Sequence, residues 1–361
     1  MIAATPIQIG SKTIKNRITF APTVKFDFTD DTGLVTQKHI DHYTERAAGG
    51  TGLICVEATA VLPGGRFGKN HMGLWSDEQT EGHKAIVEGC HRYGTTVIIQ
   101  LNHTGYVSNP ECGEPVGPSE IEMENRNGTF QTKALTVDEI HEVQKAYVDA
   151  AVRAKEAGYD GIQLHGCHGY LINQFMSPVY NKRIDIYGGT VANRARFGCE
   201  IIRAIREKCG EDFLISVRVA GLEPTVEEAI AVAEEYVKAG CDYLQVSHGM
   251  TDLKECPPYK DSAVSTLASL GVYFHEHFKD RIPVSCVGGI FTPAQANHLL
   301  DSGYVDTIDV ARAILADPGF ANAVLQNTRY IRCYKCSACQ YGPMMKHHCP
   351  AAIMRSKLGG H

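Results

Sequence analysis

Short apolar runs recur along this 361-residue chain, and most of them follow a helical segment that ends at a glycine. Two of these helices are predicted to begin with a capping box, Thr136 with Glu139 and Thr225 with Glu228. Nearly continuous apolar runs are typical of parallel strands that are covered on both faces. The eight predicted strands are 17–22, 52–57, 96–101, 159–164, 213–218, 243–247, 282–287 and 305–310.

Eight strands that each lead into a helix, within about 300 residues, predict an α/β fold, the closed (β/α)8 TIM barrel. A doubly wound open sheet is the alternative, but no glycine-rich dinucleotide-binding turn follows an early strand. A short hairpin is expected at the N-terminus, over residues 7–14. We predict one barrel domain over residues 1–328 and a cysteine-rich tail over residues 329–361.

Charge and hydropathy exclude several classes of function. The net charge is −6 and both signs are interspersed, so nothing favours binding to nucleic acid or to an anionic membrane surface. No apolar run approaches the roughly 18 residues of a membrane span, and the N-terminus has no signal-peptide pattern. We therefore expect a cytoplasmic protein that acts on a small-molecule substrate, with assembly into a homo-oligomer left open.

Two histidines and a tyrosine stand where the fourth predicted strand ends, the edge at which barrel enzymes build their active sites. His165, His168 and Tyr170 lie within six residues, and the glycine-rich turn between them can bring them over one pocket. Such a pocket could bind an anion and donate a proton. The alternatives are a metal site at the two histidines, or histidines and a tyrosine that only pack in the core.

The ends of the last two predicted strands suggest a phosphate site. The turn at Gly288 and Gly289 allows backbone N–H groups to approach an anion, and Arg312 can offer a fixed fork to a phosphate. The alternative is a tight turn and an arginine in a surface ion pair. The other strand ends that carry candidate contacts are Pro22, Thr23, Ala58, Gln100, Arg218 and Ala311.

The long stretch from His165 to Phe197, with Tyr187-Gly188-Gly189 near its middle, resembles the old yellow enzyme family of FMN-dependent reductases. Shorter matches lie in the same order at 15–22, 100–101, 287–290 and 311–313. The resemblance covers residues 5 to 325. It implies an FMN across the barrel mouth and NAD(P)H as an electron donor.

The resemblance also implies a role for each candidate residue. Gly288, Gly289 and Arg312 would hold the FMN phosphate, while Gln100 and Arg218 would face the pyrimidine edge of the flavin. His165 and His168 would bind a carbonyl or carboxyl oxygen of the substrate, and Tyr170 would protonate its α-carbon. The remaining FMN contacts that it implies are Pro22, Thr23, Ala58, His165 and Ala311.

Four of the thirteen cysteines, Cys333, Cys336, Cys339 and Cys349, follow residue 330. In a reducing compartment such a cluster indicates a metal or iron–sulfur site before it indicates disulfides. The chain resembles the barrel domain of trimethylamine dehydrogenase and 2,4-dienoyl-CoA reductase, which implies a 4Fe–4S cluster on these cysteines. Structural zinc is the alternative. Those relatives continue with further domains where this sequence stops at His361, so we expect an electron-transfer partner protein or subunit.

The predicted function is the reduction of an activated C=C bond by an FMN enzyme with a cluster that relays electrons. One alternative is a flavin dehydrogenase that oxidises an amine. Another is a cluster-free NAD(P)H-dependent ene-reductase with zinc in its tail. A non-redox barrel, such as an aldolase, is the third.

Overall fold

The computed structural model describes residues 1–125, 128–336, 339 and 349–357. Its strands are β1 (Ile7–Ile9), β2 (Lys12–Ile14), β3 (Ile18–Phe20), β4 (Leu53–Ala60), β5 (Thr96–Asn102), β6 (Val116–Gly117), β7 (Glu122–Asn125), β8 (Gly128–Gln131), β9 (Lys133–Ala134), β10 (Gly161–Gly166), β11 (Leu214–Ala220), β12 (Tyr243–Ser247), β13 (Val284–Val287) and β14 (Thr307–Val310). Eight of them form a closed parallel barrel in the order β3, β4, β5, β10, β11, β12, β13, β14. The predicted (β/α)8 barrel is confirmed.

Helices cover the outside of the barrel and follow its strands. They are α1 (Gln37–Ala48), α2 (Thr80–His91), α3 (Val137–Glu156), α4 (Leu171–Met176), α5 (Val191–Cys209), α6 (Val226–Lys238), α7 (Thr266–Phe278), α8 (Pro293–Asp301), α9 (Arg312–Ala316), α10 (Phe320–Gln326) and α11 (Pro350–Lys357). None of the helices in the described ranges is long and apolar enough to cross a membrane.

The two predicted capping boxes have different outcomes. At α3 the box is complete, because the Thr136 hydroxyl accepts from the Glu139 N–H and the Glu139 carboxylate accepts from the Thr136 N–H. At α6 only half of the box forms, with the Glu228 N–H donating to Thr225. The Glu228 carboxylate instead pairs with the buried Arg194 guanidinium. In that pair both partners are charged, whereas the Thr225 N–H would offer the carboxylate a neutral donor.

The N-terminal hairpin, β1 paired with β2, closes one end of the barrel. Ile9 and Ile14 pack in a small apolar cluster with Leu53, Ile98 and Leu214, which lie near the starts of their strands. The opposite end, at which the strands finish, is therefore the open one. Two small sheets, β6 with β9 and β7 with β8, lie in the long segment between β5 and α3.

The described part of the cysteine-rich tail contacts the barrel, because α11 packs against α9 just after the last barrel strand. Arg355 of α11 also lies 3.6 Å from the Glu45 carboxylate of α1. A domain boundary between residues 328 and 329 stays a prediction.

Candidate active site

The structure brings His165, His168 and Tyr170 together at the end of β10. His165, the residue after the predicted end of this strand, belongs to β10. Its Nε2 is 2.9 Å from Nδ1 of His168. Positive φ angles at His168 (61°) and Gly169 (75°) turn the chain back over the strand end. The Tyr170 ring centre then lies 4.6 Å from that of His165. Three polar side chains thus face one small region.

 
Nε2 of His168 lies 2.9 Å from the Ser247 Oγ, and the Arg218 guanidinium donates to the same oxygen at 3.4 Å. Because arginine can only donate, the Ser247 hydroxyl hydrogen is available to His168 Nε2. We therefore assign to His168 the tautomer with its hydrogen on Nδ1, which lies 2.9 Å from His165 Nε2.

Burial fixes the protonation states of the three side chains. It lowers the pKa of His165 and of His168 well below the ordinary value of 6.5, and the Arg218 guanidinium lowers both further. Both imidazoles are therefore neutral near pH 7 and act as hydrogen-bond donors without charge. Burial raises the pKa of the Tyr170 phenol, so Tyr170 holds its proton until a strong base takes it.

A metal site at the histidines was the alternative interpretation of this motif. Among the described residues, the one group of three ligand atoms within 4.8 Å of one another is that of His165, Cys167 and His168. Burial raises the pKa of the Cys167 thiol to about 12, so the thiol is protonated near pH 7. In that protonated state the group offers hydrogen-bond donors to a bound molecule.

Several buried polar atoms beside this group have no partner within the described residues. They include Nδ1 of His165, Nε of Arg218 and Oγ1 of Thr23. Buried polar groups almost always have a hydrogen-bond partner, so orphaned atoms at an open barrel end indicate a bound molecule. The predicted residues Arg218 and Thr23 thus fit a polar cofactor edge.

The other predicted contacts lie at the same end of the barrel. Gln100 is buried in β5 and donates from Nε2 to Gln163 Oε1 at 2.7 Å. Ala58 lies where the pairing of β4 with β5 shifts register, which exposes its backbone to a partner outside the ladder. Pro22 and Thr23 directly follow β3. These positions fit a planar group laid over the strand ends.

Sequence reasoning missed Phe67 and His71, which belong to the segment that follows β4. The Phe67 ring is 5.0 Å from that of Tyr170, at an interplanar angle of 70°. Nε2 of His71 lies 2.7 Å from the Ala58 carbonyl oxygen. Neither residue lies in a recognisable motif, and no signal in the sequence alone connects Phe67 with Tyr170 or His71 with Ala58.

The predicted phosphate turn has the geometry of a cradle. Gly288 and Gly289 have φ angles of 106° and 75°, which side-chain-bearing residues rarely adopt. A Cβ on Gly288 would lie 2.8 Å from Leu267, and one on Gly289 would lie 2.8 Å from Ser265. A cavity of about 140 Å³ opens here, and Arg312 and Phe291 help to line it.

Arg312 stands beside this cradle without a described counter-charge. Its guanidinium lies over the Phe291 ring, 4.6 Å from the ring centre, and has no hydrogen bond or ion pair to any residue that the structure describes. The alternative interpretation, an arginine in a surface ion pair, has no such pair in its favour within the described ranges. Ala311 precedes Arg312 as the residue before α9.

The four tail cysteines lie near one another and near Arg312. Burial raises the pKa of the Cys339 thiol, with smaller contributions from Cys333, Cys349 and Cys336 and an opposing one from Arg312. The Lys335 N–H donates to Cys333 Sγ at 3.4 Å. No three of these sulfurs lie within 4.8 Å of one another, although all four belong to the described residues. Tetrahedral zinc, with Zn–S bonds of about 2.3 Å, would need them within about 4 Å.

The fold and the open barrel end are those of a flavin oxidoreductase, and a family model agrees with this class. The model of the NADH:flavin oxidoreductase / NADH oxidase family matches residues 4–330, and the chain belongs to that family. The resemblance to old yellow enzyme is confirmed, and the protein is a flavin-dependent oxidoreductase.

Two relatives show how the chain compares in length. It is 38% identical over 346 residues to an NADH oxidase of Thermoanaerobacter brockii, a match that covers 93% of this chain and 52% of that protein. It is 36% identical over 331 residues to an NADPH dehydrogenase of Bacillus pumilus, a match that covers 90% of this chain and 94% of that protein. The chain therefore spans about half of the first relative and nearly all of the second.

Among the solved structures, too, the chain spans about half of some proteins and nearly all of another. The structures of a 2-naphthoyl-CoA reductase complex and of histamine dehydrogenase from Rhizobium sp. 4-9 each superpose with a TM-score of 0.84, at 26% and 25% identity. They cover 93% and 98% of this chain, which spans 54% and 53% of theirs. An old yellow enzyme homologue from Zymomonas mobilis, 26% identical, has a TM-score of 0.78 and is matched over 95% of its length.

Proposed function

We propose that the protein reduces the activated C=C bond of an enone, enoate or enoyl compound, with NAD(P)H as the electron donor. The observation that carries the proposal is the group of His165, His168 and Tyr170, in which two neutral donors and one phenol converge at the open barrel end. An activated alkene has a conjugated oxygen that needs hydrogen bonds and an α-carbon that needs a proton. The group offers both.

The residues present fit FMN. Arg218 Nε and Thr23 Oγ1 are buried without a partner, and the Gly288–Gly289 cradle with Arg312 fits a phosphate. We infer that Pro22, Thr23, Ala58, Gln100, His165, Arg218 and Ala311 hold the ring system and its ribityl chain. When bound, FMN supplies the hydride chemistry of the reaction.

The chain's own residues then do the following. His165 and His168, whose Nε2–Nδ1 contact with each other the substrate would replace, donate hydrogen bonds to the conjugated oxygen and stabilise the negative charge that gathers there as a hydride adds to the β-carbon. Tyr170 gives its phenolic proton to the α-carbon and regains a proton from solvent. Because burial raises the pKa of Tyr170, only a strongly basic carbon can take this proton, and the timing of the transfer follows hydride addition.

We further infer that Cys333, Cys336, Cys339 and Cys349 hold a 4Fe–4S cluster, which would supply one-electron transfer to a partner protein or subunit. Four thiols near one another, with the spacing Cys-x2-Cys-x2-Cys-x9-Cys, support the cluster. Iron and acid-labile sulfide, measured on protein purified without oxygen, should each approach four atoms per chain. Zinc in their place, or no metal, would refute the cluster.

Amine oxidation is the second candidate, because the histamine dehydrogenase structure superposes over 98% of this chain. The experiment that separates the two uses anaerobic, NAD(P)H-reduced protein. Cyclohexenone mixed with this reduced protein should restore the absorption spectrum of the oxidised flavin. Histamine or trimethylamine mixed with the oxidised protein should not bleach that spectrum. Bleaching by an amine together with no response to enones would favour the second candidate. A preparation that neither contains nor takes up FMN would contradict both.

A further inference from the structure

A second cation stands beside the phosphate cradle, and it comes from the cysteine-rich tail. Nζ of Lys335 lies 4.8 Å from the centre of the Phe291 ring, the same ring over which Arg312 lies at 4.6 Å. Phe291 follows the Gly288–Gly289 turn by two residues and lines the cavity there. One aromatic ring thus carries two positive side chains at the edge of a site that fits an anion.

Neither cation has a counter-charge among the residues that the structure describes. No hydrogen bond or ion pair from the Lys335 ammonium or the Arg312 guanidinium to those residues is present. Two like charges on one ring repel each other, and the ring's own attraction is modest at an exposed site. An anion in the cradle would remove this repulsion and gain from both charges.

The backbone at Lys335 is held in a conformation that lysine rarely adopts. Its φ is 56°, in the left-handed region, within the turn that carries Cys333 and Cys336. Glycine or asparagine would adopt this backbone with less strain. The strained backbone supports a function for the Lys335 side chain.

We propose that Lys335 is a further ligand of the FMN phosphate, which it binds together with Arg312 across the Phe291 ring. The inference rests on the proposed FMN site. It gives the tail a direct contact with the cofactor.

The test compares FMN with riboflavin, which lacks only the phosphate. Full-length protein is stripped of flavin anaerobically, its iron content is measured, and the dissociation constants of both flavins are determined by fluorescence quenching. Lys335→Asn removes the charge and tolerates the left-handed backbone, and Lys335→Gly does the same without a side chain. Lys335→Arg keeps the charge. Lys260→Asn is the matched control, because Lys260 also lies over an aromatic ring, that of Tyr259 at 5.6 Å.

Wild-type protein should bind FMN more tightly than riboflavin. Lys335→Asn and Lys335→Gly should each reduce that preference about tenfold while leaving the riboflavin constant unchanged, and Lys335→Arg and Lys260→Asn should keep it. Unchanged preference in both neutral variants, or an equal loss for both flavins, would overturn the proposal. An equal loss accompanied by loss of iron would instead assign Lys335 to the cluster. Wild-type protein that binds neither flavin would contradict the FMN site itself.

Discussion

Nε2 of His168 and Oγ of Ser247 lie 2.9 Å apart, and the same Ser247 oxygen receives a bond from Arg218 at 3.4 Å. This chain of contacts favours the tautomer with the His168 hydrogen on Nδ1, the atom that faces His165. Ser247, at the end of β12, thereby orients His168, which follows β10. Ser247 acts on the substrate only through His168 and is a positioning residue.

Ser247→Ala should weaken this orientation. We expect reoxidation of the reduced protein by an enone to slow about fivefold, since a neutral hydrogen bond contributes about 1 kcal/mol and one tautomer is no longer favoured. Stopped-flow absorbance measures that rate. Ser247→Thr keeps the hydroxyl and should retain most of it. Equal rates in the alanine and threonine variants would show that the hydroxyl has no such role.

Tyr170→Phe removes the proposed proton donor but keeps the ring that packs between Phe67 and His165. Reoxidation by an enone should fall by roughly 10² to 10⁴, while reduction by NAD(P)H should stay close to the wild-type rate. The two half-reactions are measured separately by anaerobic stopped flow. A similar loss in both half-reactions would point to a structural role for the tyrosine.

Gly289→Ala tests the cradle. A Cβ there would lie 2.8 Å from Ser265, and we expect FMN affinity to fall at least tenfold in equilibrium binding. Gly303→Ala is the matched control, because Gly303 has a similar φ of 67° but nothing within 4 Å of an added Cβ. Both variants carry the same backbone strain. Equal FMN affinities in the two variants would argue against a phosphate at Gly289.

Glu57 should make folding stability depend on pH. Burial raises the pKa of its carboxyl to about 7, although the Lys25 N–H and the Tyr43 hydroxyl both donate to it. The unfolded chain releases this proton near the ordinary pKa of 4.5, so the contribution of Glu57 to stability is fully present below that pH. It should fall, by up to about 3 kcal/mol, as the pH rises toward 7.

Glu57→Gln keeps the acceptor oxygen and cannot ionise, so the variant should lose less stability than the wild type between pH 5 and pH 8. Urea unfolding at several pH values measures the difference. Glu88→Gln, at an exposed position of α2, is the control and should follow the wild type. Parallel curves for wild type and Glu57→Gln would mean that Glu57 is ionised in the folded protein throughout this range.

The barrel could be predicted from the sequence because its strands are covered on both faces, which forces apolar runs such as 96–101. His165, His168 and Tyr170 could be predicted as a group because a short turn connects them. Contacts between distant segments could not. Phe67 reaches Tyr170 and Lys335 reaches Phe291 only in the folded chain, and the Glu228 side chain goes to Arg194 although its spacing from Thr225 predicts a capping box.

The central claim is that a hydride reaches the β-carbon of an activated alkene and that a solvent-exchangeable proton reaches its α-carbon. Isotope placement tests it most directly. Cyclohexenone is turned over with 4-deuterated NAD(P)H in ordinary water, and with unlabelled NAD(P)H in D₂O. We predict deuterium at the β-carbon in the first product and at the α-carbon in the second, by mass spectrometry and NMR. Solvent deuterium at the β-carbon, or no saturated product with either donor, would contradict the account.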